Sequence, residues 1–226
     1  MMTQMRNYVR YGVLGVLLSS CTLPVDIRNS GYFEERDLTD FADTWLRVSS
    51  YQYSPGHTNI LSRGVVHMTG RYRFEGDSRT GGSVEFGQID LEINFADKDV
   101  ASDGSFVIPI VSGTLSKVTG LLPGVPDFGV GWSGELPITG SVTVEEAVGA
   151  AGDPPLIGFE VSGSLSSIPA EDGGATSQRN LRRVFSGTFL QEFELGVHPL
   201  SVAGTVQLDA SSTVNPNNQF YLEQVR

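Results

Sequence analysis

The sequence is poor in cysteine and in positive charge. Its single cysteine among 226 residues excludes an internal disulfide framework and a multi-cysteine zinc site. Its 15 Lys and Arg stand against 26 Asp and Glu, which gives a formal net charge of −11. This balance argues against a nucleic-acid partner and against a surface that binds anionic headgroups, since both need a basic face. What the chain does contain is 39% hydrophobic residues, enough for the core of one domain of ordinary size.

The N-terminal segment has the pattern of a secretion signal. Two arginines precede a short apolar run at residues 11–18, and two serines separate this run from Cys21. The run is far shorter than the ~20 apolar residues that a membrane-spanning helix needs. Residues 1–20 are therefore predicted to be a signal peptide, cleaved between Ser20 and Cys21.

The stretch Leu18-Ser19-Ser20-Cys21 resembles the lipobox of bacterial lipoproteins. In that family the cysteine thiol accepts a diacylglyceryl group, the peptidase requires small side chains before it, and the new N-terminus carries a further acyl chain such as palmitate. The resemblance implies lipidation of Cys21 and, because Thr22 rather than Asp follows, anchoring in the outer membrane of a Gram-negative bacterium. Two or more acyl chains anchor a protein stably. The alternatives are a plain signal peptide or a structural cysteine.

Residues 21–62 are predicted to hold the acylated cysteine, a tether and one short helix. Turn-forming residues fill the first part of this region, whereas apolar residues recur at helical spacing between Asp37 and Val48. The helix would either pack its apolar face on the following domain or dock on a partner.

From residue 63 to 226 the dominant pattern is period-two alternation between turn-forming segments. This pattern predicts an all-β domain, a single eight-stranded antiparallel up-and-down β-barrel, with a sandwich as the alternative. The eight predicted strands are 65–74, 84–95, 106–115, 129–136, 138–144, 157–165, 184–193 and 201–208, and residues 220–225 could add a terminal strand.

A four-residue motif recurs within these strands: a small residue, glycine, any residue and then an apolar residue, as in Ser186-Gly187-Thr188-Phe189. Glycine weakens a strand, so its repetition needs a structural cause. Sharp bending of coiled strands is one cause, and close backbone packing across a small barrel is the other. Both favour the barrel. The glycines of the motif are Gly70, Gly113, Gly134, Gly140, Gly163, Gly187 and Gly204.

Residues 63–210 resemble surface lipoproteins of the transferrin-binding protein B and factor H-binding protein type. The motifs that carry the resemblance are Gly70-Arg71-Tyr72, Leu91-Glu92-Ile93-Asn94-Phe95, Phe185-Ser186-Gly187-Thr188-Phe189 and Ala203-Gly204-Thr205, in that order. The resemblance implies a lipid-anchored barrel on the cell surface that binds a host or environmental protein or a small nutrient ligand. Ligand contacts of that family lie in variable loops, so the resemblance assigns no ligand-binding residue.

Motifs for catalysis, cofactors and metals are weak. Residues 129–134 spell G-x-G-x-x-G, but Pro137 makes the helix that a dinucleotide site needs improbable. The histidines His57, His67 and His198 share no ligand spacing. The acidic segment 97–103 fits a hairpin turn better than a calcium loop. No cofactor, no metal site and no catalytic residue are predicted.

The one basic cluster comprises Arg179, Arg182 and Arg183. We interpret it as a solvated loop or strand edge, with contact to an anionic ligand or partner as the alternative. The sequence as a whole predicts a non-catalytic binding lipoprotein. A structural or envelope-maintenance lipoprotein facing the periplasm is the main alternative, and an enzyme would require a converging cluster of His, Asp and Glu side chains.

Overall fold

The computed structural model describes residues 25–26, 35–76, 84–122, 125–144, 154–167, 176–193 and 198–225. The predicted signal peptide and the predicted lipidation site at Ser20 and Cys21 lie outside the described residues. Neither of the helices found within the described residues has the length and apolar character needed to cross a membrane.

The described residues form two helices and eleven strands. The helices are α1 (Glu35–Ser49) and α2 (His57–Leu61). The strands are β1 (Val25–Asp26), β2 (Val65–Glu75), β3 (Val84–Asn94), β4 (Asp99–Val100), β5 (Phe106–Leu122), β6 (Val125–Ser133), β7 (Leu136–Val144), β8 (Leu156–Ser167), β9 (Gln178–Leu190), β10 (Ser201–Gln207) and β11 (Gln219–Gln224).

The strands close into an antiparallel β-barrel, which confirms the predicted class and excludes the sandwich. Starting at β2, the ladder passes through β3 to β5, and from β8 it continues through β9, β10 and β11 back to β2. β6 and β7 follow one another in the gap between β5 and β8, and each pairs with both of these strands. Gly134, with φ of 119°, lies between β6 and β7.

The predicted number of eight strands was wrong, because the sheet has ten strands along its path and β4 as an extra strand beside β5. β1 and β4 have two residues each and lie where a tether and a turn were predicted. Such short segments show no alternation that a sequence pattern could reveal. The optional strand at 220–225 is present as β11 and is essential to closure, since it joins β10 to β2.

The interior of the barrel is filled with side chains. Phe159 and Phe185 stack with ring centroids 4.5 Å apart, and Phe220 meets both rings edge-on at 5.6 and 5.4 Å. Buried aliphatic residues from β2, β3, β5 and β7 to β11 surround these rings. The barrel therefore encloses a packed core, as small barrels of this kind commonly do.

Glycines of the repeated motif allow this packing by close approach. Gly187 and Gly204 pair directly across β9 and β10. A Cβ atom on Gly187 would lie 2.7 Å from Cζ of Phe220, and one on Gly204 would lie 2.5 Å from its Cε1. The two glycines leave the space that the Phe220 ring occupies. Close packing, the second of the two predicted causes, explains these positions.

Helix α1 packs on the outside of the barrel. Phe41 is buried, with its ring centroid 5.8 Å from that of Phe86 on β3 and 5.4 Å from that of Tyr221 on β11. Near the end of the helix, the Arg47 guanidinium donates to both carboxylate oxygens of Glu223, at 3.0 and 2.9 Å. The helix predicted between Asp37 and Val48 is present. Of the two alternatives given for it, packing of its apolar face on the following domain is the one that the structure shows.

Candidate functional site: a charged cluster inside the barrel

Strand β9 carries two arginines into the barrel. We define the upper end of the barrel as the end at which β2 and β8 finish and β3 and β9 begin. Along β9 alternate side chains face inward, and Arg179 and Arg183 share this face with Phe185. Arg183 is only 4% exposed. Arg182 points outward, where its Nη2 lies 3.5 Å from Oε2 of Glu160.

The interpretation of the three arginines as one solvated cluster was therefore wrong for Arg179 and Arg183. Neighbouring residues on a strand face opposite sides, so Arg182 and Arg183 do not share an environment. Alternation back from Phe185 places Arg183 and Arg179 on the inward face of β9, but a pattern along one strand does not identify their counter-charge.

Glu85, the second residue of β3, supplies that counter-charge. Arg183 donates through Nε to Oε1 at 3.0 Å and through Nη2 to Oε2 at 2.8 Å, a bidentate pair. Arg179 donates through Nη2 to the same Oε2 at 2.6 Å. Glu85 itself is buried, so both partners meet it in a region of low dielectric constant.

Tyr72 completes the cluster from β2. Its hydroxyl donates to Oε1 of Glu85 at 2.9 Å. Burial raises the pKa of Tyr72 well above its usual value, and the nearby Glu85 carboxylate raises it further, so the hydroxyl keeps its proton and remains a donor. Gly87 on the adjacent strand makes room for the ring, because a Cβ there would collide with Cε1 of Tyr72.

Aromatic rings support both guanidinium groups. Cζ of Arg183 lies 4.1 Å from the ring centroid of Phe74, and Cζ of Arg179 lies 5.6 Å from that of Trp132. Both distances are within the range of cation–π attraction. Two guanidinium groups share one carboxylate, so the cluster holds one positive charge in excess. Its chemistry suits charge recognition rather than proton transfer, since arginine stays protonated.

The other residues considered from the sequence do not converge. His67 faces outward from β2, where its Nδ1 lies 3.5 Å from an Oε2 of Glu92, and the His198 ring contacts that of Phe193. In the part of the chain that the structure describes, no group of three His, Cys, Asp or Glu side chains is placed to hold a metal ion.

Two weaker motifs have structural explanations. Asp103 lies in a turn, where its Oδ1 accepts from the backbone N and the Oγ of Ser105 at 2.9 and 2.7 Å, and these bonds lower the pKa of Asp103. The G-x-G-x-x-G segment at 129–134 runs along β6 and ends at Gly134, in the turn before β7. No helix follows it, so the geometry of a dinucleotide site is not formed there.

Sequence reasoning missed Glu85, Tyr72 and Trp132. Glu85 falls on the same alternating face as Ile89 and Leu91, which marks it as an inward carboxylate, but its partners are distant in the chain. Fold and site together define a closed, side-chain-filled antiparallel barrel with a charged cluster at one end. Comparison with known protein families, curated proteins and solved structures finds no match.

Proposed function

We propose that this chain is an outer-membrane lipoprotein whose barrel binds a partner protein through its outer surface and loops, without catalysis. Three features support the proposal: the lipobox-like stretch ending at Cys21, the resemblance of the strands to transferrin-binding protein B-type lipoproteins, and the filled barrel. Partner contacts concentrate on loops that a rigid scaffold positions, and the closed barrel is such a scaffold.

The filled interior is the observation that carries the choice of partner. A small nutrient enclosed by the barrel would have to displace buried rings such as Phe159, Phe185 and Phe220. Each buried aromatic of this size contributes about 1.5–3 kcal/mol by leaving water. A protein bound at the surface requires no such displacement. Of the two ligand classes that the resemblance implies, the protein is therefore favoured.

Replacement of Cys21 tests the anchor. We expect Cys21→Ala to yield a soluble protein that incorporates no palmitate, because the thiol that accepts the diacylglyceryl group is gone. Metabolic labelling with an alkynyl palmitate analogue and fractionation of the cells measure both properties. The matched control is Ser20→Ala, which keeps a small residue before the cleavage site and should remain labelled and membrane-bound. Label or membrane retention in Cys21→Ala equal to that of the unaltered chain would contradict the anchor.

The main alternative remains a structural lipoprotein that faces the periplasm. It uses the same anchor and the same stable barrel, so the labelling experiment does not separate the two functions. They differ in topology, because a barrel on the periplasmic side cannot meet an extracellular partner.

A further inference from the structure

Arg179 is the member of the charged cluster that reaches the upper mouth of the barrel. Its side chain is 24% exposed, against 5% for Arg183 and 3% for Glu85. Its Nη2 donates a hydrogen bond to Glu85, and the guanidinium lies over the Trp132 ring. A guanidinium carries five N–H donors, so Glu85 does not exhaust its capacity.

Two serines lie near Arg179 in the ladder, because Leu165 of β8 pairs with Arg179 and Ser167 is two residues further along β8. Ser167, at the end of β8, pairs with Trp132 on one side and with Ser177 on the other. The Oγ of Ser167 accepts a hydrogen bond from the backbone N of Ser177 at 2.8 Å. Ser177 is two residues before Arg179, so the two side chains leave the chain on the same side, roughly 7 Å apart.

The hydroxyl of Ser177 is buried and has no hydrogen-bond partner among the residues that the structure describes. A buried hydroxyl without a partner is costly, and native proteins seldom leave one unexplained. At this position an acceptor brought by a ligand would satisfy it.

The charge at the mouth points to the kind of ligand. The carboxylate of Glu85 is shared between two guanidinium groups, so one positive charge inside the barrel lacks a counter-ion within the cluster. Elsewhere the chain is strongly acidic, with a formal net charge of −11. A cation beside a hydroxyl donor is a combination that binds oxyanions.

We propose that the upper mouth of the barrel binds an oxyanion, a carboxylate or a phosphate group, with Arg179 as the charged donor and Ser177 as the hydroxyl donor. Trp132 forms the apolar wall on which the guanidinium is held. Glu85 and Arg183 are positioning residues, because they fix Arg179 from the buried side. The site involves neither the anchor nor a partner protein.

Fluorescence of Trp132 reports on this site. The sequence has two tryptophans, so Trp45→Phe leaves Trp132 as the single emitter. The full-length chain with this replacement, in a neutral detergent, is titrated with sodium phosphate and separately with sodium acetate, at an ionic strength held constant with sodium chloride. We expect a saturable change in emission with at least one of the two anions, and the preferred anion tells phosphate from carboxylate.

Variants on the two faces of β9 supply the controls. Arg179→Gln should weaken binding at least tenfold and Ser177→Ala severalfold. Arg182→Gln removes the same charge from the outer face of the same strand and should leave affinity within twofold. Arg179→Lys restores a cation without the planar fork and should bind with intermediate affinity, which separates loss of the site from a folding defect.

Two results would overturn the proposal. One is the absence of a saturable change in emission when phosphate or acetate replaces chloride at constant ionic strength. The other is equal binding by Arg179→Gln, Arg179→Lys and Arg182→Gln. Either result would leave the proposed partner binding standing, because the titration contains no partner.

Discussion

At the scale of single residues, Glu85 holds the interior charges together. It accepts hydrogen bonds from Arg179, Arg183 and Tyr72. We expect Glu85→Gln to lower the free energy of unfolding by about 3–5 kcal/mol, because it leaves the buried Arg183 without a counter-charge. Urea denaturation of the full chain measures this loss.

The control for Glu85→Gln is Glu160→Gln, which removes the same charge from an exposed pair with Arg182. The two side chains of that pair are 61% and 51% exposed, so its loss should cost at most about 1 kcal/mol. Equal losses from the two substitutions would show that the interior cluster is not a stabilising ion pair.

Tyr72 should make stability depend on pH in the alkaline range. Its pKa is raised in the folded protein by burial, so above pH of about 10 the unfolded chain releases a proton that the folded chain keeps. The unfolded chain then binds fewer protons, and the free energy of unfolding falls as pH rises. Tyr72→Phe should flatten this fall above pH of about 10, the ordinary tyrosine pKa.

Tyr72→Phe should also lower stability at pH of about 7, by roughly 1–2 kcal/mol, since Glu85 loses one donor. Urea denaturation at both ends of the pH range gives the two effects separately. Burial also raises the pKa of Tyr221, so part of the fall of the free energy of unfolding at alkaline pH should remain in the variant. An alkaline slope unchanged by Tyr72→Phe would mean that Tyr72 does not titrate differently in the folded and unfolded states.

The contact between Arg183 and Glu85 is a part of the site that the sequence could not predict. The period-two rule places Arg183 and Glu85 on inward faces, but it does not say that they meet. They are 98 residues apart in the chain, and their contact depends on the closure of the barrel. A pattern read along one strand carries no information about the strand on the opposite wall.

At the scale of secondary-structure elements, the glycine pair of β9 and β10 sets how closely the strands pack around Phe220. We expect Gly187→Val to lower the free energy of unfolding by about 1–3 kcal/mol or more, because its side chain would meet Cζ of Phe220 and the carbonyl oxygen of Ala203. Thermal and urea unfolding measure the effect.

The matched control for Gly187→Val is Gly158→Val on β8. A Cβ atom at Gly158 meets nothing within 4 Å, so the same substitution adds no clash there. We expect its stability to stay within about 0.5 kcal/mol of that of the unaltered chain, as is usual for surface substitutions. Similar melting temperatures for the two variants would show that Phe220 can move aside without cost.

Long elements were predictable because their patterns are long. The alternation of apolar and polar residues in β3 and the helical spacing in α1 each identified the element and the side that it buries. The two-residue strands β1 and β4 were not predictable, since their pairing with β6 and β5 comes from the tertiary fold. The strand count failed for this reason, and because β11 was predicted only as an optional strand.

At the scale of the whole molecule, the chain is acidic, whereas the described charged cluster inside the barrel holds one positive charge in excess. The core is filled, α1 covers the outside of β10 and β11, and the upper mouth presents Arg179. Sequence patterns predicted the barrel and its glycine-dependent packing. The proposed function rests on the lipobox-like stretch and on the resemblance to surface lipoproteins, and both concern the membrane and the side of it on which the barrel would lie.

The most direct test of that account is protease treatment of intact cells, followed by mass spectrometry of peptides from residues 63–226. A lysed sample establishes that the protease cuts this barrel, and an intact periplasmic protein shows that the outer membrane is sealed. We predict that intact cells release these peptides while the periplasmic control stays whole, as surface display for partner binding requires. Release only after lysis would contradict the account and favour the periplasmic, structural alternative.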